Sequence, residues 1–255
     1  MKVIARIATV LVFPSPSALT KRPVSGTDES NNMARPINAD AQATQAKILA
    51  TAYDLFASHG IDGASIRDIA RGAGVSLAMV HHYFGSKQGL YTACIQAMLT
   101  ELGGLGKELQ GMLGKGETDP PAIMAEAVRL GFRYAKAHRT AVRLLQRSLV
   151  DTGEIDARVR EENMVPFLDT VSEVLGGLTS RPARTLRLPI QSAIFLVVRW
   201  AITSEREIGQ LAGDAAKLHK PRNNMSAPLA AIEDHLVDAT LRLLGMPPPP
   251  EPNLN

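Results

Sequence analysis

Two adjacent histidines, His81 and His82, stand in the stretch Gly74–Leu90, GVSLAMVHHYFGSKQGL; two aromatics, Tyr83 and Phe84, follow at once, and Lys87 comes soon after. Imidazoles ligate metals, move protons and donate hydrogen bonds, so several chemistries are on offer. Consecutive residues on a helix project about 100° apart. His81 and His82 therefore cannot grip one metal from a single face, and the stretch holds no cysteine or carboxylate to complete a ligand set. No nucleophile or partner acid is spaced to serve a catalytic histidine. No metal, no cofactor and no enzymatic activity are expected. What remains is a surface that docks on a partner.

The neighbouring elements decide which surface. From Asp40 onward the chain reads as helix almost throughout, with Gly and Pro gathered into punctuation and no run of strand period. Gln42–His59 carries an apolar stripe through Ile48, Leu49, Ala52, Leu55 and Phe56, and Gly60 stops it. Ser65 caps a short helix over Ile66–Gly72, with Asp68 placed to reach back to the cap. Ser76 caps a third helix, Leu77–Phe84, and Lys87 to about Leu102 is a fourth. Ile69, Ala70, Val75, Val80, Tyr83 and Phe84 are spaced to form a shared core. Gly74 supplies the left-handed conformation of a tight turn. This is helix-turn-helix spacing, whose second helix enters the major groove of DNA.

The full stretch ILATAYDLFASHGIDGASIRDIARGAGVSLAMVHHYFGSKQGLY resembles the DNA-binding domain of the TetR family of transcriptional repressors, over roughly residues 42–102. The resemblance implies a ligand-responsive repressor that binds a palindromic double-stranded operator as a cytoplasmic homodimer. It also implies a DNA-binding set of Ser65, Arg67, Ser76, Leu77, Ala78, Met79, His81, His82 and Lys87, in which Arg67, His81 and Lys87 meet phosphates and Leu77, Ala78, Met79 and His82 face base edges. Three of those four are apolar, so readout leans on thymine methyl groups. One departure stands out: the family usually has Tyr where this chain has His81, which makes that contact pH-dependent. An all-helical protein-interaction module, with a helix-turn-helix that does not bind DNA, is the other reading.

The remaining chain reads as helices over Ala122–Ala137, Arg139–Val150, Arg158–Leu175, Pro189–Glu207 and Ser226–Leu244. The expected fold is all-α: an N-terminal helix-turn-helix domain (residues 41–102) and a C-terminal helical ligand-binding and dimerisation domain (103–246). Residues 1–40 read as a disordered tail or over-extended start, Met33 looking like a natural beginning, with an export signal as the alternative; residues 247–255 read as a Pro-rich tail. Candidate pocket residues are Phe132, Tyr134, Leu145, Leu149, Met164, Phe167 and Trp200, which suit a mainly apolar small-molecule effector. Ile194 and Val198, with the 3–4 spacing of Leu229, Ile232, Leu236 and Leu243, form the expected dimer seam. Pro189–Glu207 is apolar nearly all round and is expected to be buried on several sides. Arg129, Arg133, Lys136, Arg143 and Arg147 recur at helical spacing and read as a solvated basic face.

Bulk numbers limit the alternatives. A single cysteine, Cys94, excludes an intrachain disulfide framework. No stretch approaches the roughly 20 apolar residues of a membrane span. Net charge is +3, and residues 44–103 carry four basic and four acidic groups. Nucleic-acid binding must therefore rest on a few placed contacts, not on bulk charge.

Overall fold

The computed structural model describes residues 37–102, 119–155, 157–214, 219–221 and 225–248. All of their regular structure is helical. The expected extension up to residue 36, the glycine-rich sequence of 103–118 and the end of the Pro-rich tail lie outside these residues. The chain divides into two compact units.

Of the described residues, the first unit contains those from Ile37 to Thr100 together with Arg143–Glu154. Its helices are α1 (Ile37–Gly63), α2 (Ile66–Ala73), α3 (Leu77–Phe84) and most of α4 (Lys87–Leu102). Ile48, Ala52 and Phe56 on α1, and Leu90, Cys94 and Met98 on α4, are fully buried at four-residue steps, one stripe on each helix. Phe56 meets Tyr91 edge to face at 5.3 Å. Burial pushes the Cys94 thiol up to about 12, so it stays a protonated core side chain. α1 starts five residues before the expected Gln42 and takes in the end of the presumed extension. Gly60 interrupts its helical geometry with φ 72°. A Cβ there would overlap the Asp151 carboxylate, which Arg147 holds in a two-point ion pair of 2.8 and 2.7 Å. Gly60 is thus both a helix stop and a seat for the end of α6 (Arg139–Thr152).

The second unit contains Glu101–Val142 and the residues from Ile155 onward. α5 (Pro120–Ala137), α8 (Arg187–Ile202) and α10 (Ala227–Leu244) pack against one another. A single-turn helix and a π-turn lead into α7 (Val165–Thr179), which packs on α8, and α9 (Glu205–Ala212) packs on α10. The core is aliphatic around Phe132, Leu175, Leu186, Ile208, Leu236 and Leu241.

Three expectations change here. The segment expected as Pro189–Glu207 breaks at Thr203 in extended backbone, because Ser204 caps a new helix by accepting the Glu207 N–H at 3.2 Å. Instead of being buried on several sides, α8 leaves Leu188 79% and Phe195 45% exposed. Ala183–Ile202 has a mean hydropathy of 1.3, long and apolar enough by composition to cross a membrane. It nevertheless buries Leu186, Ile190, Ala193 and Ala201 in the core and carries Arg184, Arg187 and Arg199. Conversely, Leu229, Ile232 and Leu236 are 6, 6 and 0% exposed inside their own protomer. The 3–4 spacing marks the face turned to α5 and α8, so these three are unavailable to a second copy; Leu243 alone of that seam is exposed.

The basic residues of α5 are likewise not a solvated face. Arg133 grips the wholly buried Glu233 of α10 through two bonds of 2.7 and 3.1 Å. Lys136 donates to the Thr203 carbonyl at 3.0 Å, and burial, with Arg139 close by, lowers its pKa. Removing one partner of a buried pair costs more than replacing both. Arg133→Met is expected to lower unfolding stability by about 3 kcal/mol in urea titrations. Combining it with Glu233→Leu should recover most of that loss.

Candidate nucleic-acid interface

α3 is built from capped ends and one buried contact. Ser76 accepts the Met79 N–H at 3.3 Å, leaving its own hydroxyl hydrogen free to donate. Before it, Gly74 sits in the left-handed region at φ 67°. Its N–H goes to the Arg71 carbonyl at 3.2 Å, and Val75 N–H to the Ala70 carbonyl at 3.0 Å. These two crossed bonds close α2 and turn the chain directly into α3. Val80, Ile69 and Ala70 are 1, 0 and 5% exposed. Val75, Tyr83 and Phe84 are half-buried at the rim of that core.

The positioning candidates behave differently from one another. Arg67 is exposed on the first turn of α2 and has no ion pair among the described residues. Ser65 caps α2 by accepting the Arg67 N–H at 3.2 Å, so the cap is closed on Arg67 and not on Asp68. Asp68 does not reach back, because its carboxylate is bound by Arg71. Lys87, half-buried, donates to the Asp62 carbonyl at 3.4 Å. Its ammonium therefore ties the start of α4 to the end of α1 while remaining near the surface. Ser86, which sequence reading passed over, caps α4 by accepting the Gly89 N–H at 3.0 Å; a serine three residues ahead of a helical glycine was the signal.

His81 lies 2.9 Å from the Gly85 carbonyl through Nδ1. A carbonyl only accepts, so Nδ1 carries the hydrogen. Nε2 can then donate to a phosphate only when the ring is doubly protonated. The His82 ring rests edge-on against Tyr83 at 5.2 Å. The two imidazoles are engaged with different neighbours, one with a carbonyl and the other with a ring.

The remaining sequence candidates do not form one set. Phe132 is buried in the core of the second unit, and Met164, Phe167 and Trp200 pack against that core. Leu145 and Leu149 belong to the first unit. Tyr134 is taken up elsewhere: its hydroxyl donates to the Glu101 carbonyl, and its ring stacks on His138 at 4.1 Å. His138 Nδ1 in turn meets the Glu101 carboxylate at 2.6 Å. Helical spacing cannot foresee this knot, since the partners are 33 and 37 residues apart. A cleft of about 650 Å³ lies between α1 and α2 and is lined by Thr51, Asp54, His59, Ser65, Asp68 and Arg71 among others.

Comparison with known proteins agrees with this geometry. Residues 48–94 match the family model described as bacterial regulatory proteins, tetR family. The chain is 30% identical over 162 residues to the HTH-type transcriptional regulatory protein RaaS of Mycobacterium tuberculosis, covering 63% of this chain and 69% of that one. It is 31% identical over 160 residues to the HTH-type transcriptional repressor AcnR of Corynebacterium glutamicum, covering 54% and 80%. Its fold is similar to that of a TetR-like transcriptional regulator from Rhodococcus sp. RHA1, with a TM-score of 0.55 at 20% identity over 79% of this chain and 96% of that one. With its capped reading helix, its all-helical second unit and these relatives, the chain belongs to the TetR family of DNA-binding transcriptional regulators and is not an enzyme.

Proposed function

We propose that the protein is a cytoplasmic repressor that binds a palindromic operator as a homodimer and releases it when a small, mainly apolar effector binds. The observation that carries the dimer is the uncovered face of α8. Leu188, Ser192 and Phe195 follow one another at i, i+4 and i+7 and are all exposed. Ile194 and Val198 are half-buried beside them, and Leu243 of α10 is 38% exposed. An apolar helical stripe of this kind suits an isologous contact with the same stripe of a second copy. Two reading helices then meet successive major grooves, about 34–36 Å apart.

Several buried polar atoms support an effector. The hydroxyls of Ser172 on α7 and Thr240 on α10, and both amide atoms of Gln191 on α8, are buried and have no hydrogen-bond partner among the described residues. Such groups cost about 1–3 kcal/mol each when left unmade, and they offer handles to an otherwise apolar ligand.

Three measurements test the reading. In sedimentation, Leu188→Glu with Phe195→Glu should give a folded monomer, since both sites are outside the protomer core. Its operator affinity should fall by about 100-fold or more, because the half-sites are no longer engaged together. A dimer of unchanged strength would remove this face from the interface. Arg67→Ala should weaken binding to all duplexes alike and flatten the salt dependence by about one unit of log–log slope. Thr240→Val should stabilise the effector-free protein by about 1 kcal/mol in thermal or urea unfolding, by removing an unsatisfied hydroxyl. It should also blunt release from the operator by an effector found in a thermal-shift screen of apolar metabolites.

A further inference from the structure

α3 has eight residues, and five of them are exposed: Leu77, Ala78, Met79, His81 and His82. At about 100° per residue they fall on one arc, in the order Leu77, His81, Ala78, His82, Met79. Val80 faces the opposite way into the core. Ala78 therefore lies at the middle of the arc, where a side chain of one carbon lets the backbone approach closely. Leu77, 39% exposed, and Met79, 37% exposed, flank it. All three sit in the first turn, the part of a reading helix that meets base edges.

The side chains that are absent from this arc are as informative. Guanine is read by Arg or Lys, adenine by Asn or Gln, and cytosine by Asp or Glu. The arc has none of these, and no Ser or Thr. Its only donors are the two imidazoles; His81 is bound to Gly85 through Nδ1 and sits with His82 toward the far end of the helix. An aliphatic side chain recognises one group in the major groove, the C5-methyl of thymine.

Resting on the family's DNA binding and on α3 as the reading helix, we propose that Leu77 and Met79 are specificity-determining residues that select thymine by its C5-methyl group, one on each side of the close approach at Ala78. The occupant of this uncovered apolar face is therefore a duplex with thymines at two fixed positions of each half-site. Ser76 caps the start of this face, and the exposed Arg67 on α2 is the phosphate contact proposed above.

The test uses the full-length chain and needs no variant to begin. A random-sequence duplex library is selected for binding, and the enriched duplex is resynthesised with uracil replacing thymine at one position at a time. Uracil keeps the pairing and lacks only the methyl. Losing one methyl contact should weaken binding about fourfold, from about 0.8 kcal/mol per buried carbon, and about 15-fold when both half-sites are changed. Leu77→Ala and Met79→Ala should each erase the penalty at one position and bind the uracil duplex as the parent does. An enriched duplex whose uracil versions all bind as tightly as the parent would overturn the methyl readout and leave DNA binding intact. If no sequence is enriched at any salt concentration, DNA reading itself fails, and the apolar face of α3 is a protein-docking surface.

Discussion

An eight-residue helix is not stable alone in water, yet α3 must stay helical while five of its eight side chains are left uncovered. That constraint shapes the whole first unit. Burial through Val80 anchors the helix to α2. The rest of its stability is local: Ser76 at one end, Gly85 at the other with its N–H on the His81 carbonyl at 2.8 Å, and the His81 ring bound to the Gly85 carbonyl. The crossed bonds around Gly74 remove the freedom α3 would otherwise have relative to α2. The fully buried stripes of α1 and α4 supply the core that a pair of short helices cannot provide. The reading surface is thus rigid because its supports are elsewhere, which is what selective recognition requires.

The same economy continues along the chain. α4 and α6 each contribute residues to both units, since the division falls after Thr100 and again after Val142. On the second unit's side of those two points, Glu101 and His138 are bonded to each other, with Tyr134 stacked on the imidazole. His138 is also the cap of α5, its N–H on the Tyr134 carbonyl at 2.9 Å and its own carbonyl accepting from Val142 at 3.1 Å. One residue therefore fixes the last turn of α4, the end of α5 and the beginning of α6. At its other end α6 seats Asp151 against Gly60.

Periodicity and capping made most of the helices legible. The glycine turn, the Ser76 cap and the burial of Ile69, Ala70 and Val80 follow from spacing alone. Helix ends were less legible where a competing side chain intervened: Arg71 takes Asp68 out of the expected capping box, and Ser204 caps a new helix where one continuous helix, Pro189–Glu207, was expected. The failure at Leu229, Ile232 and Leu236 is instructive. A 3–4 apolar seam reports that a helix is packed, not what it is packed against. The informative helix was α8, whose apolar residues exceed what one core can cover. The basic residues of α5 mislead for a related reason, since charge alone does not reveal that Glu233, 100 residues away, is buried and needs Arg133.

Charge and apolarity on the reading face make one consistent design. The segment 44–103 is electrically balanced, and of its cations Arg71 is bound to Asp68 while Lys87 holds a carbonyl of α1. On the proposed mode of binding, few phosphates are neutralised per head, so sequence-independent attraction is weak and counterion release contributes little. Methyl contacts add discrimination without adding charge, so they do not raise affinity for the many competing sites of a genome. The total per head is therefore small but selective. Useful affinity then has to come from engaging two heads at once, where the second contact is intramolecular. On that reading the uncovered face of α8 and the uncharged face of α3 answer the same requirement: the first supplies the strength that the second gives up.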